Sequence, residues 1–400
     1  MPDPAALRSS SVPELVSTAR TLNIENPAGL RKPDLVAAIL RANNAPQSEG
    51  VGVLEILPDG FGFLRAPEYS YLPGPDDVYV SPSQIRRFNL RNGDSVSGQM
   101  RAPKENERYF ALIKVERING EEPDTARERV LFENLKAGAP DRHLPLDGNP
   151  TARLVDRLVP LARGQRGIVR GPPRSGKTAA LRAVAEALAA AHPNLDLTWL
   201  LVAGRPEEAT ELEGCPFPVL ATTFDEPDVR HVQVVDMAIE RVRRLAEHRR
   251  DAVLVLDGLN ALVRASNAVA PPTGRSFTEG LDLAALGRAR RLLATARAFA
   301  GGGSVTLLAS VETGTPTGDA IARELCGHEN WLLPLVSGGR QPAVDLAGAY
   351  ALDHFLTPVD RARRARWRAA VGQDLDLALE LSLDSRNQTG EQAPSLASRS

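Results

Sequence analysis

Residues 171–178 constrain the fold of this chain more than any other segment. They read Gly-Pro-Pro-Arg-Ser-Gly-Lys-Thr, the complete G-x-x-x-x-G-K-T pattern, between an apolar run at 167–170 and a helical run at 179–188. Strand, loop and helix in this order place backbone N–H groups and a positive helix end around phosphate oxygens. Lys177 then neutralises the terminal phosphate and the Thr178 hydroxyl ligates magnesium. The segment predicts a phosphate-binding loop.

The segment from residue 151 onward also predicts the architecture around this loop. Buried strands alternate there with long helical segments, as in a parallel sheet with helices on both faces. Asp257 ends one such strand, where a second magnesium ligand is expected. We therefore predict an α/β P-loop domain over residues 151–383.

Between residues 50 and 118 the hydrophobic period changes to two. Five strand-like runs, separated by Gly, Pro and Asp turns, lie at 51–57, 62–65, 77–80, 95–100 and 109–115. Five short strands favour a small OB-fold or cold-shock-like β-barrel, which typically binds oligonucleotides. The remaining predicted segments are a small helical domain at 1–45, a linker at 119–150 and a disordered tail at 384–400.

Charge and composition narrow the class of protein further. The 48 basic and 50 acidic residues give a formal charge of -2, so any surface for a polyanion has to be local. Cys215 and Cys326 are too few for a disulfide framework and are predicted to be buried thiols. No histidine has a companion at metal-ligand spacing, so zinc is not predicted. No run approaches the roughly 18 apolar residues of a membrane span, and no secretory signal is readable, so we expect a cytoplasmic protein.

A cluster of arginines surrounds Trp367 near the end of the chain. Such a cluster could bind RNA, but a solvated helix face is the favoured interpretation. Its members are Arg361, Arg363, Arg364, Arg366 and Arg368.

Several longer runs resemble a single family. They lie at 53–57, 59–65 and 74–91 in the barrel and at 163–167, 205–208, 223–227 and 230–234 in the α/β part. Over residues 5–345 the chain resembles the bacterial transcription termination factor Rho family. The resemblance implies a homohexameric ring that binds pyrimidine-rich single-stranded RNA on its barrels. It implies that the domain at 151–383 is a RecA-like α/β P-loop ATPase domain. It also implies use of ATP and Mg²⁺ to translocate toward the RNA polymerase elongation complex.

The resemblance assigns residues to both ligands. It makes Phe61, Phe63 and Tyr109 the base-stacking platform, although each of these could instead be ordinary barrel core. The full RNA-binding set is Gly60, Phe61, Gly62, Phe63, Leu64, Arg65, Asp77, Val78, Tyr79, Glu107, Arg108, Tyr109 and, in a central-channel loop, Arg275. The ATP-binding set is Arg163, Gly164, Gln165, Arg166, Gly167, Arg174, Ser175, Gly176, Lys177, Thr178, Ala179 and Arg205. Lys177, Thr178 and Asp257 are the predicted catalytic residues, and Thr178 and Asp257 the metal ligands.

The catalytic pattern of the family is incomplete in this chain. Where the family reads Asp-Glu-Arg-Pro-Glu-Glu, the chain has Ala203 and Gly204 before the arginine, so the general base is absent at Gly204. The trans-acting arginine finger of the family is absent at Gly348. An arginine is also missing at Ala261, and Pro316 replaces a channel lysine. The segment before Pro342 is shorter than in the family.

Three functions are compatible with these observations. The first is an RNA-dependent ATPase and translocase that terminates transcription. The second is a hydrolysis-deficient relative that binds RNA and ATP as a regulator or ring subunit, and the glycines at 204 and 348 favour it mechanistically. The third is a metabolic P-loop kinase with an RNA-binding appendage, against which the 223–227 run argues.

Overall fold

A computed structural model of the chain describes residues 7, 10–30, 32–42, 48–104, 107–275, 280–336, 343–372 and 378. These residues form two compact units. The first, here called the barrel unit, comprises the chain up to Glu133 together with Gln233–His248. The second, the α/β unit, comprises Asn134–Val232 and the chain from Arg249 onward. The predicted disordered tail at 384–400 lies outside the described residues.

The barrel unit contains a helical pair and a closed five-stranded barrel, in the strand order β1-β2-β3-β5-β4. Helix α1 begins where Ser11 and Glu14 form a capping box beside Pro13. The helices of this part are α1 (Val12–Thr21), α2 (Lys32–Ala42), α3 (Pro82–Arg87) and α4 (Pro123–Arg127). The strands are β1 (Ser48–Ile56), β2 (Gly62–Arg65), β3 (Val78–Val80), β4 (Ser95–Arg101) and β5 (Phe110–Ile118). The predicted helical region and five-stranded barrel are confirmed.

The barrel closes because its strands alternate and its last pair is bulged. Leu54, Leu64 and Val96 point inward and share one core with Leu15 and Leu35 of the helical pair. The pairing of β4 with β5 shifts register on both sides of residues 98–99. Gly98 is required there, since a Cβ atom would lie 1.9 Å from the carbonyl oxygen of Lys114.

The α/β unit contains a ten-stranded sheet whose central strands run in the order β13-β7-β12-β10-β8-β9 and are parallel. Its strands are β6 (Ala137–Gly138), β7 (Arg166–Gly171), β8 (Asp196–Gly204), β9 (Val219–Thr223), β10 (Asp251–Asp257), β11 (Arg297–Phe299), β12 (Ser304–Glu312), β13 (Trp331–Val336), β14 (Ala343–Val344) and β15 (Tyr350–Ala351). The strands β10 and β12 are almost fully buried, as expected when helices cover both faces.

In the described ranges, eight longer α-helices follow α4. They are α5 (Pro150–Leu158), α6 (Lys177–Ala191), α7 (Pro206–Leu212), α8 (Asp228–Glu247), α9 (Leu259–Val269), α10 (Leu283–Thr295), α11 (Pro316–Leu325) and α12 (Pro358–Val371). The first turn of α8 belongs to the α/β unit and the rest of this helix to the barrel unit. None of the helices in the described ranges is both long and apolar enough to cross a membrane.

The structure differs from the predicted domain boundaries in two places. The 119–150 segment was predicted as a linker from its polar, turn-rich composition, yet it contributes α4, β6 and two leucines, Leu144 and Leu146, that are buried in the α/β core. In addition, the second half of α8 joins the barrel unit through buried ion pairs. There Glu247 contacts Arg129 at 2.9 Å and Arg244 at 3.0 Å. Neither feature can be predicted from the local composition, because both depend on contacts between segments that are far apart in the sequence.

Candidate nucleotide and nucleic-acid sites

The predicted phosphate loop has the geometry of an anion cradle. It leaves β7 at Gly171 and enters α6 at Lys177, and Arg174 (φ 60°) and Gly176 (φ 87°) are both left-handed. The ammonium of Lys177 donates hydrogen bonds to the carbonyl oxygens of Gly171 (3.1 Å) and Pro172 (2.8 Å). The hydroxyl of Ser175 is buried without a hydrogen-bond partner in the described chain. A phosphate oxygen would satisfy these donors, so the loop fits the predicted ligand.

The predicted magnesium ligands lie together beside this loop. Asp257 is buried at the carboxyl end of β10, accepts a hydrogen bond from Ser310 Oγ at 2.6 Å and is hydrogen-bonded to Thr178. Burial raises the pKa of Asp257, and burial lowers the pKa of Lys177 against the opposing charges of Glu312 and Asp257. One hydroxyl and one carboxylate are the hard oxygen ligands that Mg²⁺ accepts next to a nucleotide.

A cavity of about 670 Å³ opens in front of the loop. Among the predicted ATP-binding residues it is lined by Arg174, Gly176, Lys177, Thr178, Ala179 and Arg205. It is also lined by charged or polar residues that the sequence motifs did not reveal, namely Arg182, Glu208, Glu211, Asn260, Arg264 and Glu312. A general rule would have found Asn260 and Glu312, because ligands bind outside the carboxyl ends of parallel strands.

The run 163–167 does not line this cavity, contrary to the prediction. It lies at the amino end of β7, and the loop lies at the other end of the strand. Its polar groups serve the fold: Arg163 pairs with Asp251, Gly164 N donates to Thr306 Oγ1, and Gln165 Nε2 donates to the carbonyl of Leu352. Arg166 donates to the carbonyl of His328, and Gly167 packs against Trp331.

At position 204 the structure leaves little room for a side chain. Strand β8 ends in a bulge with Ala203 in the left-handed region (φ 50°), whose amide donates to Thr222 Oγ1. A Cβ atom on Gly204 would lie 2.5 Å from the Cγ and Cδ2 atoms of Leu201. Arg205, the next residue, is largely exposed and its guanidinium pairs with Glu208 at 2.6 Å. The strand end therefore presents an isobutyl group where the family pattern places a carboxylate.

Position 348 is constrained in a similar way. The amide of Gly348 donates a 3.0 Å hydrogen bond to Asp345 Oδ1, and a Cβ atom would lie 2.3 Å from Asp345 Oδ2. An arginine at this position would first have to displace the Asp345 carboxylate. The shortened segment before Pro342 lies outside the described residues.

Four aromatic rings of the barrel contact one another in a single cluster. The centroid of Phe63 lies 4.7 Å from Tyr109, 5.8 Å from Phe61 and 6.2 Å from Tyr79. Phe61, Tyr79 and Tyr109 are half-buried, whereas Phe63 is only 8% exposed. The four rings are absent from the barrel core cluster. We call Phe61, Phe63, Tyr79 and Tyr109 the aromatic face.

A buried ion pair lies beside the aromatic face. Arg65 stacks 5.0 Å from the centroid of Phe63 and pairs with both Asp77 and Glu55, the latter at 2.6 Å. Asp77 Oδ2 accepts a further hydrogen bond from Gly74 N, but Asp77 Oδ1 is buried with no partner in the described chain. Burial raises the pKa of Asp77 to about 6, although Arg65 opposes this shift. The pair thus holds a buried guanidinium next to a buried carboxylate oxygen that has no hydrogen-bond partner in the described chain.

Other residues of the predicted RNA set have different positions. The side chains of Leu64 and Val78 are buried in the barrel core, because they alternate with Phe63 and Tyr79 along their strands, so the structure contradicts a side-chain contact to RNA there. Glu107 forms an exposed ion pair with Arg101 (2.5 Å), which lowers its pKa to about 2. Arg108 lies over the Tyr109 ring at 5.5 Å. Gly60 forms a left-handed turn before β2, and Gly62, the first residue of β2, has no side chain between Phe61 and Phe63.

Two further expectations need correction, and one predicted RNA residue is placed elsewhere. Cys326 is exposed and Cys215 half-buried, so the thiols are not both buried. Arg364 and Arg368 are not simply solvated, since both donate to the carbonyl of Leu158. Arg275 is exposed in a loop of the α/β unit.

The geometry defines a class of protein, a P-loop α/β unit joined to an oligonucleotide-type barrel. The solved structure of an ATPase from a bacterial type III secretion system has the same fold, with a TM-score of 0.52 and 18% identity over 63% of this chain and 75% of that one. Family models described as "Rho termination factor, N-terminal domain" and "Rho termination factor, RNA-binding domain" match residues 6–46 and 50–124.

Relatives that match most of the chain identify the family. The transcription termination factors Rho of Chromobacterium violaceum and Escherichia coli are each 46% identical to this chain, covering 81% and 82% of it and 80% and 81% of the respective relative. That of Buchnera aphidicola from Schizaphis graminum is 47% identical over 82% of the chain and 81% of the relative. The chain belongs to the Rho family of transcription termination factors.

Proposed function

We propose that this chain is a Rho-type transcription termination factor that binds nascent pyrimidine-rich RNA on its barrel and ATP with Mg²⁺ at its phosphate loop. The observation that carries the proposal is the aromatic face with an unused acceptor, Asp77 Oδ1, on a barrel joined to a formed phosphate cradle. The proposed partners are the RNA polymerase elongation complex and further copies of the chain in a homohexamer. This function belongs to the cytoplasm.

The aromatic face supplies affinity and the ion pair supplies base preference. Stacked bases contribute about 1–3 kcal/mol each on such rings. Cytosine carries an exocyclic amino donor beside ring acceptors, which complements the Asp77 carboxylate next to the Arg65 guanidinium. The formal charge of -2 gives RNA no general attraction, so affinity rests on this local chemistry.

In the nucleotide cavity the chain provides binding and charge neutralisation. Lys177 is placed to neutralise the terminal phosphate and the amides at the start of α6 to hold phosphate oxygens. Thr178 and Asp257 would hold Mg²⁺, which when bound neutralises charge on the phosphates. The hydrolysis step receives less support, because the residues at 204 and 348 provide neither the acid nor the arginine of the family pattern. We therefore propose RNA-dependent hydrolysis that is slow for the class.

A second candidate is a hydrolysis-deficient RNA- and ATP-binding regulator or ring subunit. It is favoured by the side chains of Leu201 and Asp345, which fill the space where the missing groups would be attached. The kinase reading is disfavoured by the family membership of the whole chain.

The deciding experiment measures ATP turnover with and without polycytidylate, together with transcript release from a halted elongation complex. Lys177→Ala gives the background. RNA-stimulated turnover with transcript release supports the first function. RNA and ATP binding without turnover above the Lys177→Ala background supports the second.

A further inference from the structure

Glu312 occupies a defined place beside the phosphate loop. It is the last residue of β12 and lies opposite Gly171, the first residue of the loop, in the parallel pairing of β12 with β7. Asn260 holds its backbone on both sides, accepting from Glu312 N at 2.8 Å and donating to Glu312 O at 3.0 Å. Thr313 N donates to the Gly171 carbonyl and ties the next peptide to the loop. The backbone at Glu312 is therefore clamped between two strands of the nucleotide site.

The Glu312 carboxylate has no hydrogen-bond or ion-pair partner among the described residues. It is half-buried and lines the nucleotide cavity. Its negative charge acts to raise the pKa of Lys177, more than that of Asp257 does, although burial lowers this pKa overall.

The other carboxylates of the cavity are either hydrogen-bonded to neighbouring residues or exposed to solvent. Asp257 is bonded to Ser310 and Thr178, and both oxygens of Glu208 accept from Arg205. Glu211 is exposed on α7. Glu312 is thus the acid of this cavity with both oxygens available next to the lysine that meets the terminal phosphate.

We propose that Glu312 is the general base of this chain and takes the role that the family pattern gives to the acid absent at Gly204. The proposal rests on the proposed ATPase function. The carboxylate accepts one proton from a water molecule while the water oxygen bonds to the γ-phosphorus. The bond from that phosphorus to the β–γ bridging oxygen breaks, and its electron pair leaves with ADP. Inorganic phosphate is the other product, and the proton on Glu312 returns to solvent.

An alternative role for Glu312 is to balance the charge of Lys177. The two roles predict different effects of Glu312→Gln, which keeps the shape and removes the charge. Loss of a general base lowers kcat by about 10²–10⁴-fold. Affinity for ATP then stays equal or rises, because a negative charge near the phosphates has been removed. A pure balancing role changes ATP affinity and leaves kcat within a few-fold.

The test uses the full chain with three variants: Glu312→Gln, Glu312→Asp and the control Glu213→Gln. Glu213 is an exposed acid at the end of α7 that does not line the cavity. The measurements are kcat and KM for ATP with polycytidylate, equilibrium binding of a slowly hydrolysed ATP analogue, and thermal unfolding. We expect at least a 10²-fold loss of kcat in Glu312→Gln with undiminished affinity and unchanged unfolding. Glu312→Asp should retain part of the activity.

Two results would overturn the assignment of Glu312. One is turnover of folded Glu312→Gln within about three-fold of wild type, far below the loss of a general base. The other is wild-type turnover no higher than that of Lys177→Ala while polycytidylate and the ATP analogue still bind. That second result would still be compatible with the second candidate function, an RNA- and ATP-binding regulator. Failure of the termination function itself would be seen separately, as loss of RNA binding and transcript release.

Discussion

The aromatic face of the barrel and the nucleotide cavity depart from the Rho pattern to different degrees. The face has its four rings in contact and its ion pair in place. The cavity has a formed phosphate cradle, whereas glycines stand at 204 and 348, where the resemblance leads us to expect an acid and an arginine. We therefore expect both regions to bind their ligands and the hydrolysis of ATP to be slow. The two kinds of chemistry respond differently to the loss of one side chain.

Stacking energies accumulate ring by ring, so a barrel with one ring fewer still binds. Groups that act on one transition state are strongly non-additive, so losing one removes most of the benefit of the others. We expect the two regions to be separable by mutation, with effects on one ligand that do not reach the other.

The largest effect is expected for Phe61→Ala combined with Phe63→Ala. At about 1–3 kcal/mol for each stacked base, the pair should weaken binding of a pyrimidine-rich oligonucleotide by about 2–6 kcal/mol. Fluorescence anisotropy with a labelled oligonucleotide measures this loss. ATP affinity should be unchanged.

Phe224→Ala provides a matched control, because Phe224 is 65% exposed and belongs to the α/β unit. Since Phe63 is buried, thermal unfolding must show that the double variant is folded. A folded double variant that keeps RNA affinity within about 0.5 kcal/mol would remove the stacking assignment.

The next largest effect is expected for Lys177→Ala on ATP affinity. Hydrogen bonds to charged groups contribute about 1.5–3 kcal/mol, so we expect roughly a 10- to 100-fold loss in equilibrium binding. Lys177→Arg keeps the charge and should lose less. RNA affinity should be unaffected by either variant, and equal ATP affinity in wild type and Lys177→Ala would contradict the anchoring role.

These two predictions concern features that the sequence could reveal, because each lies in a short segment. The loop motif named Lys177 and Thr178, and the spacing of Phe61 and Phe63 predicted that their rings share one face, as their contact confirms. Arg264 escaped detection because it enters the cavity from a helix, whose position relative to the loop becomes known only from the sheet. The run 163–167 was assigned to ATP from its resemblance alone, and the length of β7 separates it from the loop.

A third prediction concerns pH and affects the barrel alone. With a pKa of about 6, Asp77 accepts a proton as the pH falls through that value and can no longer act as a full acceptor. Affinity for a cytosine-rich oligonucleotide should fall about ten-fold between pH 7 and pH 5 and should be flat in Asp77→Asn.

Stability of the barrel unit should change in the opposite direction across the same range. The folded pKa of Asp77 lies above its ordinary value of 3.8, so the group contributes stability below that value and loses it as the pH rises through about 6. Parallel measurements of RNA affinity and thermal unfolding between pH 5 and pH 7 check this. Affinity that does not respond to pH in wild type would exclude Asp77 from base recognition.

The smallest effects are expected from attempts to restore hydrolysis. Gly204→Glu requires space now filled by Leu201, so it should be combined with Leu201→Ala, and Gly348→Arg must displace the Asp345 carboxylate. Each repair alone should raise RNA-stimulated turnover by no more than a few-fold, because in our proposal the acid and the arginine act on the same transition state and each depends on the other. If Glu312 is not the general base, the two repairs together should exceed the sum of their separate gains. Steady-state turnover with polycytidylate measures all four combinations.

The turnover of the wild-type chain decides how these repair experiments are interpreted. If Glu312 already serves as the base, the acid at 204 adds little even in the double repair, and the gain comes mainly from the arginine, which is worth about 10³–10⁵-fold when well placed. If Glu312 is not the general base, the acid introduced at 204 and the arginine introduced at 348 are each ineffective alone. Combining Glu312→Gln with both repairs separates these cases: turnover survives only if the acid at 204 can replace the one at 312. Robust turnover in the unmodified chain, at about 1 s⁻¹ or more, would instead show that neither missing residue limits hydrolysis.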